Sequence, residues 1–294
     1  MSEQLHLLDP ATCRGDGICA DICPENVLEI VEGKAATAPS RADACIMCGQ
    51  CVAVCPTDSL QMPSLPAEDF RELARLPFGY DEFVDFLRRR RSVRAFKDRP
   101  VDSDLIEKIL EAAATAPMGF PPHSTEVVVI NRREELDFLL EELVKDYASV
   151  AKAVSNPFGR LMIRLAAGAE NYHALQDYIV DVTKYANEEY HRNGSDRYMH
   201  NAPVLMLFHG NRRAMSYEEN AHLVCHHSML AALSLGLGTT IIGLVPPIVD
   251  RSKNLRQHFD IPKDNRVLTS LILGYPKYRY KKSIRRDLAS VQMM

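Results

Sequence analysis

Cys45-Ile-Met-Cys48-Gly-Gln-Cys51-Val-Ala-Val-Cys55-Pro56 sets four cysteines in the order C-x2-C-x2-C-x3-C-P, the run that holds [4Fe–4S] clusters. The spacing has a chemical reason. Three thiolates separated by two residues wrap one corner of a cuboidal cluster, and the fourth is directed to a second cluster. Structural zinc motifs usually set two C-x2-C pairs well apart, and this run does not.

The same pattern occurs earlier in the chain. A shift of 32 positions carries Cys13, Cys19 and Cys23 onto Cys45, Cys51 and Cys55, Gly17 onto Gly49 and Pro24 onto Pro56. A fixed period of this kind marks an internal duplication. One position breaks it, because Asp16 stands where Cys48 carries its thiol.

Over about residues 5–62 these residues resemble the two-cluster bacterial ferredoxins. The resemblance implies that Cys45, Cys48 and Cys51 hold one [4Fe–4S] cluster with Cys23 from the other half. Cys13 and Cys19 then serve the other cluster with Cys55. Three readings of Asp16 stay open. It ligates the fourth iron through oxygen, or it leaves a [3Fe–4S] cluster, or the first site is empty. The third leaves three cysteines without a role. An oxygen ligand is a poor match for iron that prefers soft donors, so a labile corner is expected there.

The totals bound the rest. A chain of 294 residues with net charge −4 is long enough for two domains, and its balance does not point to nucleic acid. Residues 1–60 hold nine acidic and three basic side chains, so the negative charge is concentrated there. No apolar run approaches the roughly 20 residues of a membrane span, and Met1-Ser-Glu-Gln does not begin a signal peptide. Seven of the eight cysteines fall in the first 55 residues with cluster spacing rather than that of a disulfide scaffold. A cytoplasmic location is the expectation.

Pro63, Pro66, Pro77 and Gly79 punctuate residues 63–79 as a linker with at most a short helix at 67–76. The domains are thus read as 1–62 and 80–294. Asp81–Arg90 puts Phe83, Phe86 and Leu87 on one helical face, with acid at its start and base at its end. It runs into Arg88-Arg-Arg-Arg-Ser-Val-Arg-Ala-Phe96, which in isolation could be a solvated basic face. A capped helix follows and ends in Ala116-Pro117. With it, residues 80–294 resemble the nitroreductase family of FMN enzymes.

That resemblance implies an α+β chain, a ferredoxin-like two-cluster module followed by a central mixed sheet wrapped by helices. It places Arg90, Ser92 and Arg94 on the flavin phosphate and ribityl chain, as guanidinium forks and a hydroxyl suit. The family's S-x-x-N-x-Q stretch is replaced here by Pro117-Met-Gly-Phe-Pro-Pro-His123. Backbone groups at Met118 and Gly119 are therefore the expected contacts. Leu235-Gly-Leu-Gly-Thr-Thr-Ile-Ile-Gly-Leu244 matches the element whose backbone approaches the flavin ring, giving Ile242, Gly243 and Leu244. The last basic run gives Arg285 for the phosphate, with Lys282 second.

Other segments are read from pattern. Glu126–Ile130 is expected as a central strand, and Ala202-Pro-Val and Leu273-Gly-Tyr-Pro276 match family strands. Helices are expected over Arg133–Val154, 158–171 and 173–191. Tyr172, His173, Tyr178 and Tyr185 lie there and are assigned no role. Cys225 is read as an inert buried thiol within a helix over Glu219–Leu235. His222, His226 and His227 lack an acidic third ligand and are not taken as a metal site.

Together these imply a homodimer with FMN at its interface, electrons supplied through the clusters, and a small electrophile as acceptor. An external ferredoxin or another low-potential donor is the implied source. No acid–base residue is singled out. Two alternatives remain: a dehydrogenase running electrons outward, and a non-catalytic electron-transfer or redox-sensing protein.

Overall fold

The structure is a computed structural model that describes residues 5–167 and 178–294. The chain divides into two compact units, Met1–Pro77 with Phe120–Pro122, and Phe78–Gly119 with His123–Met294.

In the first unit the duplication is visible as structure. Helices α1 (Ile18–Asp21) and α2 (Gln50–Ala53) each start behind a glycine in the left-handed region, Gly17 at φ 79° and Gly49 at φ 71°. Such a conformation costs a side chain energy, and glycine adopts it freely. Each short helix carries one buried cysteine inward, Cys19 and Cys51. Strand β1 (Leu7–Leu8) pairs antiparallel with β4 (Leu60–Gln61), bringing both ends of the module together, and β2 (Leu28–Val31) forms a hairpin with β3 (Lys34–Thr37). The core is small: Leu28, Ala35 and Leu60 with Cys13, Cys19 and Cys51. Residues 67–76 give only a 3₁₀ turn at Ala67–Asp69 in place of the short helix.

The second unit is built on an antiparallel sheet in the order β5 (Thr125–Ile130), β6 (Val204–Asn211), β8 (Asn265–Gly274), β7 (Gly238–Ile241). A parallel bridge from Ser92 to Thr239 extends it beyond β7, which makes the sheet mixed. Both faces are covered, so β6 reads as an unbroken apolar run. Leu205 and Leu207 enter one core with α5 (Arg133–Ser155) and α7 (Val180–Asn193). Val204, Met206 and Phe208 enter the other with α4 (Ser103–Ala114) and α8 (Tyr217–Ser234). Helix α3 (Tyr80–Arg89) has the expected acidic start and basic end, and the N–H of Gly79 just before it donates to Glu82 Oε2 at 3.1 Å.

One strand sits elsewhere than expected. Glu126–Ile130 lies in β5, at the sheet edge rather than its centre, and most of its side chains are only half buried. Helix α6 (Pro157–Ala167) and α7 account for much of the expected helical stretch. Tyr172 and His173 fall outside the described residues. Tyr178 and Tyr185 are exposed.

Candidate functional site

Two small cavities in the first unit divide the cysteines between them. One is lined by Cys13, Asp16, Cys19 and Cys55, the other by Cys23, Cys45, Cys48 and Cys51. The fourth cysteine of each run thus lies with the first three ligand positions of the other run, as crossed ligation requires. Short helices separated by the duplication produce this, because each C-x3-C-P segment leaves its helix toward the opposite cavity. All eight cysteines are free thiols. Four soft donors around one cavity, and three with a carboxylate around the other, suit iron–sulfur clusters.

Hydrogen bonds to these sulfurs differ between the cavities. In the all-cysteine cavity, Val27 N–H donates to Cys23 Sγ at 3.3 Å and Met47 N–H to Cys45 Sγ at 3.4 Å. At Cys55 the partners are hydroxyls, Ser59 Oγ at 3.3 Å and Thr57 Oγ1 at 3.7 Å. Burial pushes the Cys55 thiol up, but bonds from Ser59 and Thr57 outweigh it and bring it down to about 7. Burial pushes Cys51 up to about 11. Asp16 Oδ1 accepts the Ile18 N–H at 3.2 Å, and Oδ2 has no hydrogen bond among the described residues.

The second unit has a cationic cleft of about 570 Å³, lined by Arg88, Arg89, Arg90, Arg91, Arg279 and Lys282, among others. Arg91 Nη2 is buried and lacks a hydrogen-bond partner. An unpartnered guanidinium nitrogen beside a cleft of like charges suits an anionic group such as the FMN phosphate. The segment after α3 is fixed against β7: Val93 N–H donates to Thr239 O at 2.9 Å and Thr240 Oγ1 to Val93 O at 2.5 Å. Gly238 permits this approach, since a Cβ there would lie 2.7 Å from the Val93 side chain. Val93 points inward, so Ser92 and Arg94 share the opposite, exposed face.

The structure places the expected flavin contacts unequally. Arg90 lines the cleft, and Lys282 lines it where Arg285 was expected. Arg285 lies out in the exposed tail, 3.3 Å from Asp287, with 89% of its side chain exposed. The Gly119 N–H is already bound to Asn220 Oδ1 at 3.0 Å, and Met118 packs on the core. Asn220 also donates to Ser124 Oγ and Met215 O. The Ile242 N–H is likewise taken, by Ser270 O at 3.0 Å. Among the described residues the N–H groups of Gly243 and Leu244 have no partner, and a Cβ at Gly243 would meet open space.

This loop is held from behind. Ser270 Oγ donates to Ile242 O and Tyr147 Oη to Leu244 O, both at 2.7 Å. Tyr147 is buried against Tyr198, whose hydroxyl donates to Asn187 Oδ1. Burial pushes both phenols up, so they act as neutral donors. Tyr147→Phe strands the Leu244 carbonyl. It is expected to cost about 1–2 kcal/mol, read as a lowered unfolding midpoint with FMN bound more loosely. Of the remaining singled-out side chains, Cys225 is buried and pushed up to about 12. His222 and His227 each turn Nδ1 to a carbonyl four residues back.

A mixed sheet covered on both faces by helices, with a cationic cleft beside the segment after α3, is an α+β architecture with room for an anionic group. The 4Fe-4S dicluster domain model matches residues 6–61, and the Nitroreductase family model matches residues 87–275. The chain belongs to the nitroreductase family and carries an N-terminal 4Fe–4S domain. It is 25% identical over 209 residues to an "FMN reductase [NAD(P)H]" of Bacillus subtilis, covering 70% of each chain. It is 24% identical over 245 residues to "Iodotyrosine deiodinase 1" of Mus musculus, covering 75% of this chain and 76% of that one. A nitroreductase with bound FMN from Bacteroides fragilis shares the fold at TM-score 0.55 and 18% identity, covering 72% of this chain and 98% of that one. These relatives support an FMN-dependent oxidoreductase, and their names differ in acceptor. No helix among the described residues is long and apolar enough to cross a membrane.

Proposed function

We propose that this oxidoreductase draws single electrons through its iron–sulfur clusters and delivers them, by way of FMN, to a small organic acceptor. The acceptor class is a nitroaromatic, a quinone or an activated alkene. The observation that carries this reading is the presence, in one chain, of two thiol-lined cavities and a flavin fold. FMN, when bound, joins one-electron donors to two-electron acceptors.

The chain's own residues hold the cofactors. Arg90, with the orphaned Arg91 nitrogen, takes the phosphate, and Lys282 of the tail replaces Arg285 in that role. Ser92 and Arg94, on their shared face, serve the ribityl chain. Gly243 and Leu244 offer free N–H groups to the ring edge; Gly119 and Ile242 contribute shape, since their amides are engaged. Exposed Phe158, Leu161 and Leu165 of α6 form an apolar surface that a second copy covers, giving a homodimer with FMN at its interface. Eight cysteines without a disulfide fit a reducing, cytoplasmic compartment.

Cys23, Cys45, Cys48 and Cys51 hold one [4Fe–4S] cluster. Cys13, Cys19, Cys55 and the free Oδ2 of Asp16 hold the second, as [4Fe–4S] or, where that corner is lost, [3Fe–4S]. Asp16→Cys is expected to raise iron from about seven toward about eight per chain in protein isolated in air, with FMN unchanged. An iron content and electron paramagnetic resonance spectrum equal to wild type would remove Asp16 from the ligand set.

The test of direction is anoxic turnover with reduced ferredoxin or with NAD(P)H as sole donor. Ferredoxin is expected to sustain acceptor reduction, and a variant lacking the clusters to lose it. Turnover with NAD(P)H and none with reduced ferredoxin, or ferredoxin-driven turnover that survives loss of the clusters, would overturn the clusters as the entry point.

A further inference from the structure

We infer that His6 sets the reduction potential of the all-cysteine cluster by donating a hydrogen bond to its ligand Cys51. The inference rests on the cluster reading above. His6 is a buried imidazole, 5% exposed, lining the same cavity as Cys23, Cys45, Cys48 and Cys51. Its Nε2 lies 3.7 Å from Cys51 Sγ, and its Nδ1 lies 3.0 Å from Thr37 Oγ1 on β3.

Ligation decides the direction of this bond. A cysteine bound to iron has no proton and only accepts, so the donor is Nε2–H. The ring's other nitrogen then accepts from the Thr37 hydroxyl, which fixes the tautomer and the plane of the ring. This is the arrangement by which a group beyond the ligands orients and tunes a metal site.

The other sulfur bonds in this cavity come from backbone N–H groups within four residues of their cysteine. His6 reaches across 45 residues instead, and among the described residues no imidazole makes a like bond to Cys19, the equivalent of Cys51 in the 32-residue repeat. Reduction adds one electron and one negative charge to the cluster, and no atom. Hydrogen bonds to the sulfurs are among the factors that set its potential. A donor aimed at a buried sulfur stabilises the reduced state more than the oxidised one, and so raises the potential. His6 is a positioning and tuning residue, and moves no proton in the reaction.

The test is an anoxic redox titration of the full-length holoprotein, followed by electron paramagnetic resonance after iron and sulfide are counted. In His6→Leu, iron is expected to stay at the wild-type level while the midpoint of the all-cysteine cluster moves to lower potential. The signal of the Asp16 site should not move. His6→Gln keeps an N–H donor and is expected to titrate closer to wild type. Thr37→Val, which frees the ring to rotate, should shift the midpoint in the same direction as His6→Leu but less. A His6→Leu midpoint equal to wild type overturns the inference. Equal shifts in His6→Leu and His6→Gln, or iron loss from both, do the same by reducing His6 to packing. Wild-type protein without iron would instead sink the cluster reading itself.

Discussion

Replacing Cys23 by alanine is expected to remove about half of the iron and acid-labile sulfide, and the half removed belongs to the second cysteine run. By sequence position Cys23 is the last cysteine of the first run, so a local reading predicts loss of the Asp16 site. The structure places it with Cys45, Cys48 and Cys51 instead. Loss of one ligand in four leaves an iron open to solvent, and the other polar groups lining the cavity, His6, Glu25 and Gln50, are harder donors than a thiolate. Cys55→Ala is the reciprocal case and should empty the cavity of Cys13, Asp16 and Cys19. Iron analysis with electron paramagnetic resonance distinguishes the two. FMN should stay at about one per chain in both variants, because no cysteine lines the cationic cleft. Retention of the all-cysteine signal in Cys23→Ala would refute the crossed arrangement.

Much of the first unit could be read in advance because its constraints are local. A thiolate every third residue, a glycine before each short helix and a proline after each run all lie within a few positions of one another. The duplication then supplies the long-range pairing by symmetry. His6 escaped that reading because its partner is 45 residues away and outside the repeat. Nothing in Gln4-Leu-His-Leu-Leu8 distinguishes a ring aimed at sulfur from an ordinary buried histidine.

The second unit shows the same division. The run Val204–Phe208 is apolar on both faces and lies in the interior of the sheet. Val127-Val-Val-Ile130 is nearly as apolar, yet it has a single neighbouring strand. Strand composition reports what covers the two faces, whereas edge or centre depends on hydrogen-bond partners elsewhere in the chain. The amides of Gly119 and Ile242 show the same division. Each was open by local geometry and closed by a distant acceptor, Asn220 Oδ1 and Ser270 O. Asn220 had one weak signal, since an asparagine within a helix is unfavourable unless its amide is used.

The phosphate end of the cleft bears the second large effect. Arg90→Ala combined with Lys282→Ala is expected to weaken FMN binding about 100-fold, since each charge-assisted hydrogen bond contributes about 1.5–3 kcal/mol. The lower end applies because Lys282 is exposed and solvent screens its charge. The weakening should therefore narrow as salt is raised. Arg285→Ala serves as the comparison. That side chain is 89% exposed and lies beside Asp287, so its removal should change FMN affinity less than about twofold if the cleft alone holds the phosphate. Fluorescence titration of FMN into the flavin-free protein measures both variants against wild type. The thermal unfolding midpoint of each flavin-free variant should match wild type, which separates a lost phosphate contact from a lost fold. A large effect of Arg285→Ala with little in the double variant would mean that the tail rearranges when flavin binds. The phosphate would then be held by a closed state of the tail, with the cleft's standing charge serving only to attract it.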